Sequence, residues 1–575
     1  MTVFRSSRQP RGTDAALLRA PPFPGAPRTT SEAARSPVLP MIADSTIDAI
    51  FAAIRDAQVG GAFWAPAAEL PTGGLIVRVR SPEDLLAVRA DLSDAERSAC
   101  QWLLPAAYAR HGKVRGWVAP EPVLFGEVDP WSLLPAAMLL LAHGDDEWAV
   151  LAHIAGCTVR LLSDGRFGAA GAHPAALREQ AVTAVLRTRY LDPFTGDESD
   201  AASTIALLTF WRRTIVANRG IVAASGIAWW KRHEIARFLW SADQPLRFFQ
   251  SERRALAHAA RHSGAVAVWP SRISPAMVDS AATLGVLLIR VEDGFVRSVG
   301  LGSDMVPPSS VTVDRLGIHY DPSRASDLEA LLAATDFPPA LLGRAERLRT
   351  RIVTAGISKY GGNGAQPVPA RQPGRRLVLV PGQVEDDMSV RLGGGGLASN
   401  LELLRRARVL EPDAEIWFRP HPDVDAGHRK GAVQDADAMR YADRIVRGGG
   451  MAALLDVVDS VHVLTSLTGF EALLRNRTVT CHGMPFYAGW GLTHDVIEAP
   501  TRRGRALTLA ELVAGVLILY PRYLDPVTGI PCEPEVLLDR MVAGDAVNRL
   551  GWVSRIRRLQ GRLTKAGRRA SPSPL

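Results

Sequence analysis

RLVLVPGQVEDDMSVRLGGGGL, residues 376–397, sets an apolar run of strand type directly against three consecutive carboxylates and then four glycines. The run 376–381 reads as a buried strand, and polar groups just beyond it stand where an open α/β sheet gathers its ligands. Two more segments repeat the pattern. FRPHPDVDAGHRKG (418–431) follows the apolar stretch 414–418, and HVLTSLTGFEALL (462–474) follows 461–464 and leads to CHGMPFYAGWGLTHD (481–495). Together the three read as a nucleotide-sugar site in an α/β fold.

Working outward, 575 residues predict several domains, and 47% apolar with 22% charged residues describes an ordinary globular chain. No apolar run approaches the roughly 20 residues of a membrane span. The best, near 131–141, is short, holds a proline and reads as a core helix. Residues 1–45 are rich in Pro, Arg and Ser without a secretory apolar stretch, and read as a disordered lead-in. Cys100, Cys157, Cys481 and Cys532 lack metal spacing and fit reduced thiols in a cytoplasmic protein. The net charge of +8 is matched by eight basic residues after 545, where no acid occurs. Leu550, Trp552, Ile556, Leu559 and Leu563 give this tail, 546–575, an apolar face. It reads either as a surface for anionic lipid through 549–569 or as a solvated terminus. Nucleic acid is not expected, since the remainder is near neutral and carries no such motif.

One repeat organises the chain. RYLDPFTG (189–196) recurs as RYLDPVTG (522–529), and Cys157-Thr158-Val159 echoes Arg477-Thr478-Val479 upstream. So long a period means duplication of a module. The first copy lacks the three polar segments, so 46–205 reads as a degenerate module remnant with little expectation of chemistry. The second copy reads as two Rossmann-like domains, 206–365 and 366–545, facing a cleft and joined by a Gly/Pro/Arg-rich linker at 360–376. Its first half offers strands at 265–269, 285–289 and 310–314, and helices at 327–334, behind a Ser326 cap, and 340–353. Its second half offers helices at 397–409 and 509–519.

The acids 385–387 suit metal binding, general base chemistry or attack on a sugar carbon; capping of the next helix explains only one of them. Gly393–Gly396 would let backbone approach a phosphate. Arg419 and His421, stiffened by flanking prolines, suit a phosphate oxygen. Ser466 and Thr468 at a helix start form an anion site, with Glu471 placed for ribose hydroxyls, or else Thr468 and Glu471 are a capping box. The aromatics of FYAGWG (486–491) stack on a ligand or pack in the core. Glu292 and Asp293 are charged ends of a first-half strand. HExxH, Walker A, G-x-S-x-G and zinc spacing are absent from the sequence, which leaves glycosyl transfer as the best fit.

VEDGFVRSVGLGSD followed by PP (291–308), GIHYD (317–321), ISKY (357–360), VPGQVEDDMSV (380–390), RPHPDVDAGHRKG (419–431), the stretch 465–493 and YPRYLDPVTG (520–529) closely resemble the capsular-polysaccharide β-Kdo transferases of the KpsC/LipB type. The resemblance covers about 180–540 and implies a GT-B-like fold whose second module is complete. It implies retaining transfer of Kdo from the donor substrate CMP-Kdo, with no cofactor or metal, to a lipid-linked, Kdo-primed acceptor. The place would be the inner face of the cytoplasmic membrane, alongside capsule biosynthesis and export proteins. Asp387 matches the nucleophile position. Gln383, Arg419, His421, Ser466, Thr468 and Glu471 would hold the CMP moiety, and Glu292 or Asp293 would be the acid/base. Two departures, Trp269-Pro270-Ser271-Arg272 and Gly361 after ISKY, fall in the acceptor half. Transfer of another CMP-linked ulosonic acid, or a non-catalytic assembly scaffold, are the alternatives.

Overall fold

A computed structural model describes residues 16–25, 31–32, 42–70, 74–110, 113–171, 173–296, 307–357, 368–427 and 429–544. The basic tail and residues 360–367 of the expected linker lie outside the described residues. The chain forms two compact units. One holds residues up to Arg219 together with Trp240–Pro245, the other Gly220–Leu239 and everything from Leu246. The helix Ala201–Asn218, which the sequence assigns to the second module, therefore belongs to the first unit.

The first unit is built on a parallel sheet of β1 (Leu75–Arg78), β2 (Cys100–Leu104), β3 (Val123–Phe125), β4 (Leu139–Ala142) and β5 (Thr158–Leu161). Its order is β3-β2-β1-β4-β5, a doubly wound sheet with its switch point between β1 and β4. Two expectations change here. The run near 131–141 is not a helix but two short 3-10 turns, Pro130–Ser132 and Leu134–Ala136, that feed β4. Pro135 supplies no N–H for a continuous helical ladder, and the Leu139–Ala142 run is buried sheet. The lead-in is also not wholly disordered: Leu17, Leu18 and Phe23 are buried. Phe23 meets Trp211 and Trp240 edge-on at 5.3 and 4.8 Å.

The repeated octapeptide has the same local structure twice. Asp192 accepts from the backbone N–H groups of Phe194 and Thr195, and Asp525 from those of Val527 and Thr528. Tyr190 and Tyr523 each donate a 2.7 Å hydrogen bond to a carbonyl of the preceding helical segment, Val185 and Leu517. Each copy is an aspartate-closed turn between antiparallel strands, a packing device rather than a site.

The second unit carries two sheets. The first joins β6 (Ile221–Ser225), β7 (Arg247–Phe249), β8 (Ala265–Val268), β9 (Leu288–Asp293) and β10 (Ser310–Asp314). The second joins β11 (Leu377–Pro381), β12 (Glu415–Arg419), β13 (Arg444–Ile445), β14 (Ser460–Val463), β15 (Thr478–Cys481) and β16 (His494–Asp495). Two late strands, β17 (Pro521–Leu524) and β18 (Pro531–Cys532), return to the first sheet. The orders are β7-β6-β8-β9-β10-β17-β18 and β13-β12-β11-β14-β15-β16. The second sheet is parallel throughout, so both its faces are covered and its strands read as unbroken apolar runs. One apolar core runs from Leu328 and Leu332 of the first half to Leu379, Trp417 and Val461 of the second. The second unit is thus a mixed α/β, GT-B-like pair of Rossmann-like halves.

Helices follow their end signals. Ser326 caps Asp327–Ala334 by accepting from Glu329 N–H. The segment expected as one helix over 509–519 changes at Ala514 from α to π. Gly285 closes Pro275–Leu284 in the left-handed region, which moves the strand expected at 285–289 on to Leu288–Asp293.

Candidate active site at the carboxyl ends of β11, β12 and β14

The loops beyond β11, β12 and β14 are tied into one rim. Gln383 is the central tie, buried, with its side-chain amide donating to Thr465 Oγ1 at 3.0 Å and its carbonyl oxygen accepting from Thr465 N–H at 2.9 Å. Its backbone exchanges two 2.8 Å bonds with the Asn400 side chain, which also donates to Gly431 O. Sequence reasoning missed Thr465 and Asn400. A hydroxyl and an amide directly after a strand and at a helix start were the available signals.

Each acid of the triplet has a distinct place. Glu385 accepts from Asn400 N–H at 2.8 Å, at the start of helix Asn400–Leu410. Asp386 pairs with Arg429 at 3.1 Å on the exposed surface. Asp387 caps helix Met388–Gly393, its Oδ1 accepting from Ser389 N–H at 3.0 Å and Ser389 Oγ at 2.8 Å. Those bonds leave Oδ2 outside the cap. The side chain is half-buried, and its charge reaches the phenol of Tyr320 in the first half.

Period-two alternation separates the other two acids, since neighbours on a strand point to opposite faces. Asp293 shares its face with Val291 and Ile289 and is held by Lys231 at 2.8 Å. The Lys231 ammonium also sits 3.5 Å from the Trp269 ring centre. Glu292 shares its face with Arg290, and its charge reaches Tyr320, as that of Asp387 does. The charges of Glu292 and Asp387 both act on the Tyr320 phenol, whereas Asp293 is tied to a buried lysine. Lys231 was also missed; nothing in WWK (229–231) signals an ion pair with a strand residue 62 positions on.

Arg419 ends β12 and donates to the carbonyls of Gly448 and, at 2.7 Å, Gly449. Burial lowers its pKa, so the guanidinium gains from an added anion. His421 caps the short turn Pro422–Asp425, its Nδ1 accepting from Asp423 N–H at 3.2 Å. The N–H of Gly382 donates to Arg419 O at 2.8 Å, which joins the β11 and β12 loops.

The helix after β14 starts earlier than its sequence suggests. It runs Leu467–Leu474, and the cap is Ser466, whose Oγ accepts from Thr468 N–H at 3.2 Å and donates to Thr468 Oγ1 at 3.1 Å. Thr468 is inside the first turn, so the Thr468–Glu471 capping box does not form. Thr468 and Glu471 are both buried. The aromatics of 486–490 are core: Phe486, Tyr487 and Trp490 are buried, and the Tyr487 hydroxyl donates to Ser466 O from behind the rim. The glycine run also serves packing. A Cβ on Gly393 would stand 3.1 Å from Thr465 Cγ2 and 3.2 Å from Tyr320 O, so glycine lets the two halves close there.

No described helix is long and apolar enough to cross a membrane. Among the described residues no group of three or more His, Cys, Asp or Glu is placed to hold a metal ion.

Residues 264–367 and 363–523 match the model of a family described as capsule polysaccharide biosynthesis protein. The chain is 39% identical over 341 residues to the capsule polysaccharide modification protein LipA of Neisseria meningitidis, covering 59% of this chain and 48% of that one. It is 45% identical over 253 residues to the lipopolysaccharide-processing protein LpsZ of Rhizobium meliloti, covering 43% and 57%. The chain thus spans about half the length of these relatives. Among solved structures, a KpsC β-Kdo 2,7 transferase chain from Thermosulfurimonas dismutans is 32% identical, with 56% of this chain and 99% of that one covered at a TM-score of 0.47.

Proposed function

We propose that this chain is a capsule polysaccharide biosynthesis protein of the KpsC/LipB type, a reading supported by the family match over residues 264–523 and by the likeness to LipA, and that its second unit is a retaining glycosyltransferase moving Kdo from CMP-Kdo to a lipid-linked glycan acceptor. The observation that carries the reading is the placement of Asp387. It stands beyond the carboxyl end of β11 with one oxygen fixed by Ser389, and its charge, like that of Glu292, helps to hold the Tyr320 phenol protonated. Asp387 Oδ2 attacks the anomeric carbon, the bond from that carbon to the CMP phosphate oxygen breaks, and CMP departs with the electron pair. Glu292 then takes the proton of the acceptor hydroxyl, whose oxygen displaces Asp387 and restores the carboxylate. Two displacements retain configuration. Asp293 is the weaker acid/base because its carboxylate is already paired with Lys231.

Arg419, His421, Ser466 and Thr468 hold the phosphate side of CMP, Gln383 fixes the loop between them, and Glu471 faces the ribose. The linkage follows the second module of the KpsC/LipB type, β-2,7. Action at the inner face of the cytoplasmic membrane, with other capsule proteins and through the basic tail, belongs to the same reading.

Incubation with CMP-Kdo followed by intact-mass analysis tests it. A covalent Kdo on Asp387 is expected in the unmodified chain and not in Asp387→Asn, which loses at least about 1,000-fold in transfer. Absence of both adduct and CMP release in the presence of a Kdo-primed acceptor overturns the enzyme and leaves a scaffold. Adduct formation from a different CMP-ulosonic acid alone changes the donor.

A further inference from the structure

The Tyr320 hydroxyl is buried and makes no hydrogen bond among the described residues, and the whole residue is only 9% exposed. Nearly all buried hydroxyls in folded chains have a partner, and each exception asks for a reason. Here the reason lies in the surroundings. The charges of Glu292, Asp387, Asp321 and Arg290 all reach this phenol. His319 meets its ring edge-on at 5.2 Å, and its backbone carbonyl lies against Gly393, at the end of the helix that Asp387 caps. Burial first, and then the carboxylates, hold the phenol well above its ordinary pKa, so it keeps its proton at neutral pH.

The carboxylates of Asp387 and Glu292 can only accept hydrogen bonds. The phenol on which their charges act is a neutral donor, able to approach an anionic sugar without adding a negative charge. We propose that the Tyr320 hydroxyl donates a hydrogen bond to an oxygen of the sugar as it reacts, and so holds the anomeric carbon between Asp387 and Glu292. This assignment rests on the transferase reading of the same site.

Tyr320→Phe in the full chain keeps the ring and removes only the hydroxyl. With CMP-Kdo and a Kdo-primed acceptor, kcat is expected to fall about 100-fold, the scale for one preorganised donor, with KM for CMP-Kdo little changed. The melting temperature without substrate should hold or rise, because an unmatched buried hydroxyl is lost. Unchanged kcat in Tyr320→Phe beside an active unmodified chain overturns this assignment alone. A lowered melting temperature also overturns it, by showing a structural bond. Absence of transfer by the unmodified chain overturns the reading of the site, and this inference with it.

Discussion

The sheet of the first unit and the second sheet of the second unit share one strand order, β3-β2-β1-β4-β5 and β13-β12-β11-β14-β15, and differ in the loops beyond those strands. In the first unit these loops surround a cavity of about 590 Å3 that supplies its own counter-ions. Arg78 pairs with Asp146 at 2.7 Å, Arg80 with Asp145, and His143 with Asp84 at 2.7 Å. An incoming phosphate would have to break those pairs and face the carboxylates left behind. The loops beyond β11, β12 and β14 instead carry Gln383, Thr465, Ser466 and Thr468, and Arg419 donates to the carbonyls of Gly448 and Gly449. Strand order depends on apolar runs that tolerate substitution. An anion site depends on a few loop charges, and in the first unit those charges already have partners.

Paired substitutions test this contrast. The largest effect belongs to Asp387→Asn, which abolishes transfer in a discontinuous CMP-release assay, while Asp145→Asn leaves the rate within about twofold. A large loss from Asp145→Asn would make the first unit a second site. Acid comes next. His462 and His482 meet at 3.1 Å in the second sheet, and burial first lowers both to about 4 from 6.5. The unfolded chain therefore takes up more protons, so this stability is full above pH 6.5 and drains as pH falls toward 4. The loss is up to roughly 3 kcal/mol per ring, read as lower urea midpoints for the second unit at pH 4.5 than at pH 7. Ser466→Ala removes a helix cap for about 1 kcal/mol and should weaken CMP binding severalfold by calorimetry. The smallest change is Arg80→Ala. That ion pair is about half exposed on both sides, so melting should move by less than about 1 kcal/mol and transfer not at all.

Much of the second unit is legible in its sequence. β10 falls at the expected 310–314, β11 and β12 start one residue late, and Ser326 is a cap as its position implies. Such features depend on local apolar period and on end signals. The separation of Glu292 from Asp293 was also legible, since adjacent strand residues must face apart, but only once β9 was known to reach Asp293. Other features were not. The His462–His482 contact and the buried pair Glu329–Arg503, at 2.6 Å, join residues whose partnership only the folded chain defines. The three acids 385–387 give no local sign that two of them serve a helix start and a surface pair. The run near 131–141 shows the limit of composition, since its leucines suit helix and buried strand equally and Pro135 decides between them.

The return of β17 to the first sheet has a consequence for how the second unit can open. Its backbone passes between the two halves once between Thr354 and Leu377 and again between Asp495 and Pro521. A lobe held by one strand of chain swivels freely, whereas a lobe held by two turns like a door on a pair of pins. Any opening between the halves would then follow a single swing, with little freedom to twist.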